Sequence, residues 1–327
     1  MQIKELVRVL EAGAPPVYQE SYDNAGLIVG NKDAEAAGVL IAVDVTEKVV
    51  DEAIDRGCNV IFAHHPLIFK GLKKLNGNND VERAVIKAIK NDIAIYAAHT
   101  NLDKVMGGVN AKLCEKLGLQ NCTVLQPEAG LLKKLVVFIP QSHTDQVRNA
   151  IFEAGAGHIG EYDKCSYNLE GQGTFRPSED SNPFSGEIGK LQFEPETRVE
   201  TVYPIHREQE VLRRMHEAHP YEEVAYDIYP LDNSYDRVGL GMTGDLNEAR
   251  EVHEFLQDVK AILGVSCIKH TTTANHAFVK RIAVCGGSGS DLIQKAKAAG
   301  ADVFIPADVK YHQFFDAGGD IVIADVG

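Results

Sequence analysis

Short apolar runs alternate with amphipathic stretches in the N-terminal part of the chain. The runs and the helical stretches between them are, in order, 38–44, 46–57, 59–65, 82–92 and 93–100. Strands that are buried in a parallel sheet form short, continuous apolar runs, and helices connect them. The pattern therefore predicts βαβ units around a buried parallel sheet, followed by one more helix at 107–119.

The same alternation returns at the C-terminal end, and a different pattern lies in between. Apolar runs at 280–287, 302–308 and 320–327 enclose two helical stretches, so this end predicts a second α/β lobe. The middle follows a β-α-β-β-α-β order, and its Gly- and Ser-rich stretch at 171–186 predicts a loop or hairpin. We therefore predict two βαβ-type, three-layer α/β lobes that form one unit, with an inserted ferredoxin-like α+β domain. The expected boundaries are 1–128, 129–234 and 235–327.

The composition and net charge of the chain argue against a nucleic-acid-binding or membrane protein. The chain has 327 residues, of which 44% are hydrophobic and 24% charged, as in an ordinary globular protein. Its net charge of −14 argues against nucleic acid as a partner, because that binding depends on basic side chains that neutralise phosphates. No apolar run approaches the roughly 20 residues that span a bilayer, so no membrane partner is expected. The six cysteines show no C-x-x-C spacing, which indicates small buried side chains in a reducing, cytoplasmic location.

Histidine and aspartate residues follow two neighbouring predicted strands. His64 and His65 end one apolar run directly before Pro66, where the pleat need not continue and both rings can turn towards one centre. His99 ends the next run, and Asp103 follows in the same segment. Ligands of open parallel sheets bind beyond the carboxyl ends of the strands, and imidazoles with a carboxylate suit zinc, manganese or iron. The sequence therefore predicts a metal site, with hydrogen-bonded structural histidines as the alternative.

The role of His99 stays open at this stage. It can be a ligand, a partner that orients a ligand, or a group that faces the substrate. The polar segment 21–30 before the core has two interpretations as well. Asp23 and Asn24 either form an Asx-type turn, or lie over the site and meet substrate or a water molecule there.

Two C-terminal segments follow predicted strands and can reach the same edge. The first is a candidate phosphate loop that consists of Gly286, Gly287, Ser288 and Gly289. Its backbone N–H groups either cradle a phosphate or form a plain tight turn. The second segment carries Lys310 and His312, which can point to the same opening. In the middle region, His219 to Glu223 form another histidine and carboxylate cluster, for which a solvated turn is the alternative.

Five motifs in this order resemble one family. They are SYDNAGLIVG, FAHHP, AHTNLD, CGGSGS and DVKYH. Together they resemble the Nif-three-like proteins, the GTP cyclohydrolase 1 type 2 homologs of bacteria, over essentially the whole chain. The middle is similar to the PII- and CutA-like insert of the longer bacterial members, and HPYEE followed by AYDIYPL carries that likeness.

The resemblance implies two divalent metal ions at the interface of the two α/β lobes. His64 and His65 match the family's ligand doublet, and Asp103 matches the carboxylate that bridges the ions. The resemblance also implies a homohexamer that is built as a trimer of dimers. The family's activity and substrate are not settled, and metal-assisted hydrolysis of a phosphate ester or purine nucleotide is the usual suggestion.

The sequence departs from the family pattern at two places. Family members carry a His-x-x-x-Glu pair soon after the last strand, and this sequence stops at Gly327, just before that histidine. An apolar strand at the very end of a chain is also unusual, so we expect the natural C-terminus to lie further on and metal occupancy to suffer without the pair. Ala307 stands where the family has Gly before Asp308, which predicts a tighter turn ahead of His312.

The sequence is compatible with two classes of function. The first is a dinuclear metal-dependent hydrolase that acts on a nucleotide or phosphoester, with His99 and His312 as candidates for proton transfer and 286–289 as the phosphate loop. The second is a non-catalytic metal-binding or metal-sensing hexamer that a small molecule regulates through the insert. A nucleic-acid role is weaker, because it would need a concentrated basic stripe on an acidic protein.

Overall fold

The computed structural model describes residues 1–327, and the chain divides into two compact units. The first unit contains residues 1–127 and 236–327, and the second contains residues 128–235. The second unit therefore interrupts the sequence of the first. None of the helices combines the length and the apolar character that crossing a bilayer requires.

The N-terminal lobe of the first unit is a four-stranded sheet with helices. Its strands are β1 (Gly26–Val29), β2 (Val39–Ala42), β3 (Val60–Ala63) and β4 (Ala94–Ala97). Its helices are α1 (Ile3–Gly13), α2 (Glu47–Asp55), α3 (Asp80–Lys90), α4 (Thr100–Lys104) and α5 (Val109–Lys116). The strand order is β1-β4-β3-β2. Strands β2, β3 and β4 are parallel, as the apolar pattern predicts, while β1 pairs with β4 in the antiparallel direction.

The sequence determines where the crossover helices of this lobe begin. Thr46 accepts a hydrogen bond from the Val49 N–H at the start of α2, and Asn79 does the same for the Glu82 N–H at the start of α3. Such caps satisfy backbone donors that have no partner inside the helix. The apolar faces of both helices then pack on β3 and β4 around the fully buried Ile61. This packing fixes the ends of β3 and β4 relative to each other.

Strand β2 differs from the buried strand that its apolar run predicts. Helix α1 packs over Val60 and Ala94 on one face of the sheet. It does not cover the edge strand, so Val39 and Ile41 remain 41% and 75% exposed. An unbroken apolar run therefore did not guarantee burial on both faces here.

The second unit is a four-stranded sheet with two helices, and strand β5 (Gln120–Ala129) leads into it. Its elements are β6 (Leu132–Pro140), α6 (Thr144–Glu153), β7 (Tyr167–Phe175), β8 (Gln192–Pro204), α7 (Glu208–Ala218) and β9 (Tyr226–Leu231). The strand order β7-β8-β6-β9 is antiparallel throughout. This is the split β-α-β arrangement that the order of elements predicts. Helices α6 and α7 cover one face of the sheet through Val147, Ile151, Val211 and Met215.

The C-terminal lobe belongs to the first unit and is built on a six-stranded sheet. Its remaining elements are β10 (Ser234–Glu251), α8 (Val252–Leu263), β11 (Lys269–His270), β12 (Phe278–Ser288), α9 (Ile293–Ala298), β13 (Val303–Ala307) and β14 (Val322–Asp325). The strand order is β11-β14-β13-β12-β10-β5, with β12, β13 and β14 parallel as predicted. The predicted helix after β13 is instead a 3-10 helix at Tyr311–Ala317. Cys114 of α5 packs with Val284 of β12 and Phe255 of α8, so the two lobes of this unit share a core.

Candidate metal centre

The imidazole rings of His64, His65 and His99 meet at the carboxyl ends of β3 and β4. Their candidate ligand nitrogens all lie within 4.8 Å of one another. The ring centroids are 5.0, 5.3 and 5.5 Å apart. Strands β3 and β4 are parallel and in register, so that both end at the same edge of the sheet. The regular strand stops before the doublet, which allows two adjacent side chains to share one side, as the sequence predicts.

A hydrogen bond that Nδ1 donates fixes the orientation of each ring in the doublet. His64 Nδ1 lies 2.9 Å from the carbonyl oxygen of Ala98, and His65 Nδ1 lies 2.8 Å from Oδ1 of Asp44. A carbonyl or an ionised carboxylate can only accept, so the proton of each neutral ring sits on Nδ1. The lone pair is then on Nε2, which is the atom that can bind a metal ion. This pairing of a ligand with an acceptor is the usual support of histidine metal sites.

The third ring is oriented by a buried carboxylate from the polar loop before β1. His99 Nδ1 lies 2.8 Å from Oδ1 of Asp23, whose side chain is 0% exposed. Asp23 also accepts hydrogen bonds from the backbone and hydroxyl groups of Thr100 and from the Asn24 N–H. Burial raises the pKa of Asp23, but the hydrogen bonds from Thr100 and His99 bring the pKa below its ordinary value. The ionised carboxylate therefore holds His99 with Nε2 as its free atom.

Asp103 adds a carboxylate to this cluster from helix α4. Its Oδ1 lies 3.7 Å from Nε2 of His64. Burial raises the pKa of the Asp103 carboxyl, and the neighbouring histidines oppose this effect. The backbone carbonyl of Asp103 accepts a hydrogen bond from Asn110 Nδ2 at 2.9 Å, and Asn110 Oδ1 accepts the N–H of Gly286 at 2.8 Å. The fully buried Asn110 thus links the segment that carries Asp103 to strand β12 of the other lobe.

The donor set fits a divalent transition metal. Three imidazoles present Nε2 lone pairs, and one carboxylate lies beside them. Imidazole and carboxylate ligands without thiolates are typical of zinc, manganese and iron sites. The predicted ligands His64, His65 and Asp103 are therefore near one another, and His99, whose role the sequence left open, joins them.

The other predicted site residues lie elsewhere or are already engaged. His312 is exposed on the 3-10 helix and lies outside the three-histidine group. The predicted phosphate loop, Gly286 to Gly289, largely continues strand β12, and the N–H of Gly286 already donates to Asn110. A short 3-10 turn, Ser290–Leu292, follows it, and α9 has only six residues. The segment therefore does not open a regular helix of the kind that the sequence predicts.

Sequence reasoning missed two groups that support the site. Asp44, which orients His65, ends an apolar run that was interpreted only as a strand. Ala42 and Ala63 are register partners in β2 and β3, so the residues two positions further on, Asp44 and His65, come side by side. A carboxylate at the end of a third parallel strand was therefore a usable signal. Asn110 had no such signal, because its partners come from two different lobes.

Comparison with known proteins gives a consistent result over the whole length of the chain. Residues 1–327 match the Duf34/NIF3 (NGG1p interacting factor 3) family. The GTP cyclohydrolase 1 type 2 homolog of Bacillus subtilis is 42% identical over 315 residues, which cover 96% of this chain and 84% of that protein. The homolog of Staphylococcus epidermidis strain RP62A is 34% identical over 319 residues, with 97% and 86% covered. Among solved structures, a Bacillus cereus protein related to NIF3 has a TM-score of 0.87 and 44% identity, with 100% of this chain and 88% of that chain covered.

Proposed function

The chain belongs to the Duf34/NIF3 family, and on this premise we propose that it is a metal-dependent hydrolase with a dinuclear centre. His64 and His65 are the proposed imidazole ligands, and Asp103 is the proposed bridging carboxylate. His99 is either a further ligand or the group that moves a proton at the site. The proposed ions are zinc, manganese or iron, and the proposed substrate is a nucleotide or another phosphoester.

One observation carries the metal proposal. Each of the three histidines has its Nδ1 hydrogen-bonded to an oxygen acceptor, namely Ala98, Asp44 or Asp23, and has Nε2 left over. Three histidines at the ends of β3 and β4 that served only a structural role would have no reason to leave the same nitrogen open. A site that binds an ion needs this arrangement, because it fixes both the tautomer and the direction of each ligand.

The residues around the centre support a hydrolytic role. When bound, two divalent ions supply Lewis-acid chemistry for attack of water on a phosphate ester or an electron-poor ring carbon. The chain itself orients the imidazoles through Nδ1 and keeps the pKa of the Asp23 carboxyl below its ordinary value, so that the Nε2 atoms are the ones the site can offer to an ion. His312 lies outside the cluster, and its part in proton transfer remains a prediction.

The rim of the site favours a nucleotide over a simple phosphate ester. Tyr22 and Phe69 are 63% and 47% exposed, and their ring centroids lie 6.3 Å apart. Phe69 in turn lies 6.4 Å from the ring of His99. Exposed aromatic rings beside a metal centre offer a stacking surface for a flat base, which a plain phosphate would not use.

The proposal extends to the rest of the protein. We assign the second unit as an inserted PII/CutA-like domain, with boundaries near 129 and 234, on the strength of its strand order and the resemblance of the HPYEE segment. A cytoplasmic homohexamer is the proposed assembly. The second candidate function, a non-catalytic metal sensor, is favoured by the separate cavity of this unit that is described below.

Turnover by metal-loaded protein tests the enzyme proposal. We expect protein that is loaded with zinc, manganese or iron(II) to hydrolyse GTP or bis(4-nitrophenyl) phosphate. The Asp103→Asn variant should lose more than about tenfold in kcat, because the carboxylate charge is removed at nearly constant shape. The matched control is Asp55→Asn, an exposed aspartate in the same lobe. Full metal occupancy without turnover would favour the sensor, and equal activity of both variants would contradict the assigned site.

A further inference from the structure

The second unit contains a cavity on the face of its sheet that α6 and α7 do not cover. The cavity has a volume of about 550 Å³. Phe138 of β6 and Glu196 of β8 form part of its floor, and the loop after β7 and the turn before β9 form its walls. Small-molecule sites typically measure about 300–1,000 Å³ and combine aromatic walls with a few polar groups. The size and place of this cavity are therefore those of a ligand site.

Aromatic rings form a continuous wall of the cavity. The ring centroids of Phe175 and Tyr221 lie 6.1 Å apart, and those of Phe184 and Tyr221 lie 6.0 Å apart. Phe138 adds a fourth ring from the sheet. The faces of such rings carry partial negative charge and attract cations, as in the aromatic cages that hold ammonium groups.

A buried carboxylate lies among these rings. Glu196 is only 8% exposed, and its Oε1 accepts a hydrogen bond from the Tyr221 hydroxyl at 2.8 Å. Its Oε2 accepts none. A Cβ at position 173 would lie 2.1 Å from Oε2, so glycine at this position leaves the room that the carboxylate occupies. A carboxylate that is mostly buried and keeps one oxygen without a hydrogen bond is stabilised when a positive charge binds beside it.

The remaining charges at the cavity are also mainly negative. Glu222 and Glu223 line it together with Glu196, against the single cation Arg176. The other nearby guanidinium, that of Arg198, pairs with Glu200 at 2.9 Å. The cavity therefore combines a surplus of negative charge with aromatic walls, and both features select for positive charge.

We propose that this cavity binds a small organic cation that carries N–H donors on a flat apolar body, such as an amidine that is attached to an aromatic ring. One N–H of the ligand donates to Oε2 of Glu196, and the flat body stacks on Phe175, Phe184 and Tyr221. The Tyr221 hydroxyl fixes the carboxylate in place from its other side. This site is separate from the metal centre, since all residues that line it belong to the second unit.

A second copy of the chain is the other occupant to consider. A protein surface that covered this face would bury Glu196 with Oε2 still unpaired unless it inserted a cation into the cavity. The volume of the cavity and its carboxylate therefore fit a small molecule better than a flat protein contact. The test below separates the two.

Three isosteric probes test the proposal on the full chain. Benzamidinium is a flat cation, benzamide is its neutral analogue, and benzoate is the anion of similar shape. We expect titration calorimetry to give benzamidinium a Kd at least about tenfold below that of benzamide, because hydrogen bonds to charged groups are the stronger ones, and to detect no benzoate binding. The Glu196→Gln variant should weaken benzamidinium binding about tenfold and leave benzamide unchanged.

Matched variants decide between the outcomes. Glu187→Gln changes an exposed carboxylate in the loop after β7 that does not line the cavity, and should leave all three affinities unchanged. If Glu196→Gln fails to fold, Phe184→Ala removes one exposed ring of the wall and should weaken benzamidinium binding instead. Equal affinity for benzamidinium and benzamide would overturn the proposal. The absence of benzamidinium binding would also overturn the proposal. If, in addition, Phe184→Ala lowers the sedimentation coefficient of the protein, a second copy of the chain is the occupant of the cavity.

Discussion

The two units use histidine in opposite ways. In the first unit, His64, His65 and His99 each hydrogen-bond through Nδ1 and leave Nε2 open. In the second unit, His219 uses both nitrogens: Nε2 lies 3.0 Å from the Phe138 carbonyl, and Nδ1 accepts the Tyr221 N–H at 3.2 Å. Both clusters have the same residue types in the sequence, a histidine next to proline with carboxylates nearby.

The difference shows what makes a histidine available for chemistry. Two backbone partners saturate His219, which is 6% exposed, and burial lowers its pKa. Its two hydrogen bonds hold the turn before β9 in place, and no ring nitrogen is left to bind a ligand. The side chain of His64 is 26% exposed and has one backbone partner, so it retains a donor atom. The number of open nitrogens distinguishes the two roles better than the motif does.

The comparison is tested most severely by removing one histidine from the metal centre. We expect His64→Ala to weaken zinc binding more than about 100-fold, since the loss of a ligand should exceed the 10–100-fold cost of losing an outer partner. Titration calorimetry on metal-free protein measures the affinity. His219→Ala is the control and should bind zinc as the unaltered chain does. Equal losses in the two variants would show that stability, and not ligation, sets the affinity.

The converse substitution should act on stability alone. His219→Ala leaves the Phe138 carbonyl and the Tyr221 N–H without partners and opens a small cavity. We expect a loss of about 2–3 kcal/mol in the free energy of unfolding, which urea denaturation followed by circular dichroism measures. The exposed His158 of the same unit gives the control, His158→Ala, with a change near zero. A similar small effect of both variants would contradict a structural role for His219.

The parts of the fold and site that depend on local pattern could be predicted from the sequence. The apolar runs and the amphipathic stretches between them predict most of the parallel strands and several of the helices of both lobes. The doublet at His64 and His65 was predicted at a strand end because Pro66 interrupts the regular pleat there. These features depend on residues that are close together in the chain.

The parts that depend on distant neighbours could not be predicted in this way. Strand β10 was missed because glycines interrupt its apolar pattern. A Cβ at Gly239 would lie 2.0 Å from the Gln126 carbonyl, so glycine is needed there for close contact with β5 and does not mark a turn. The pairing of Asp44 with His65 depends on the register of β2 and β3, and the ring wall of the cavity comes from separate segments.

A smaller effect on metal binding comes from the partners that orient the rings. Asp44→Asn keeps an oxygen acceptor for His65 Nδ1 but removes the charge. The side chains of this pair are 48% and 68% exposed, so we expect a loss of only about tenfold in zinc affinity, at the low end of the range for outer partners. Asp55→Asn in the same lobe is the control for the loss of one negative charge. No difference between the two variants would mean that Asp44 does not orient His65.

The smallest effect that we predict is the pH dependence of the stability that His219 contributes to the second unit. Burial keeps His219 neutral, with smaller contributions from His143 and His216, and lowers its pKa below the value of about 6.5 in the unfolded chain. Well above pH 6.5 both states are neutral and the stabilisation is complete. As the pH falls below 6.5, only the unfolded state gains the proton, and stability is lost towards the lower pKa of the folded state.

Hydrogen exchange at a single amide measures this loss. Once the turn before β9 opens, His219 can gain a proton, and its Nδ1 then no longer accepts the Tyr221 N–H; protection of that amide, corrected for the intrinsic exchange rate, should therefore fall between pH 7.5 and pH 5. We expect a change of about 1 kcal/mol, the value of one hydrogen bond. In His219→Gln the corrected protection should not depend on pH in this range, because the amide side chain does not titrate there. A constant protection in the unaltered chain would show that another acceptor holds this N–H, and that His219 is less saturated than its two contacts indicate.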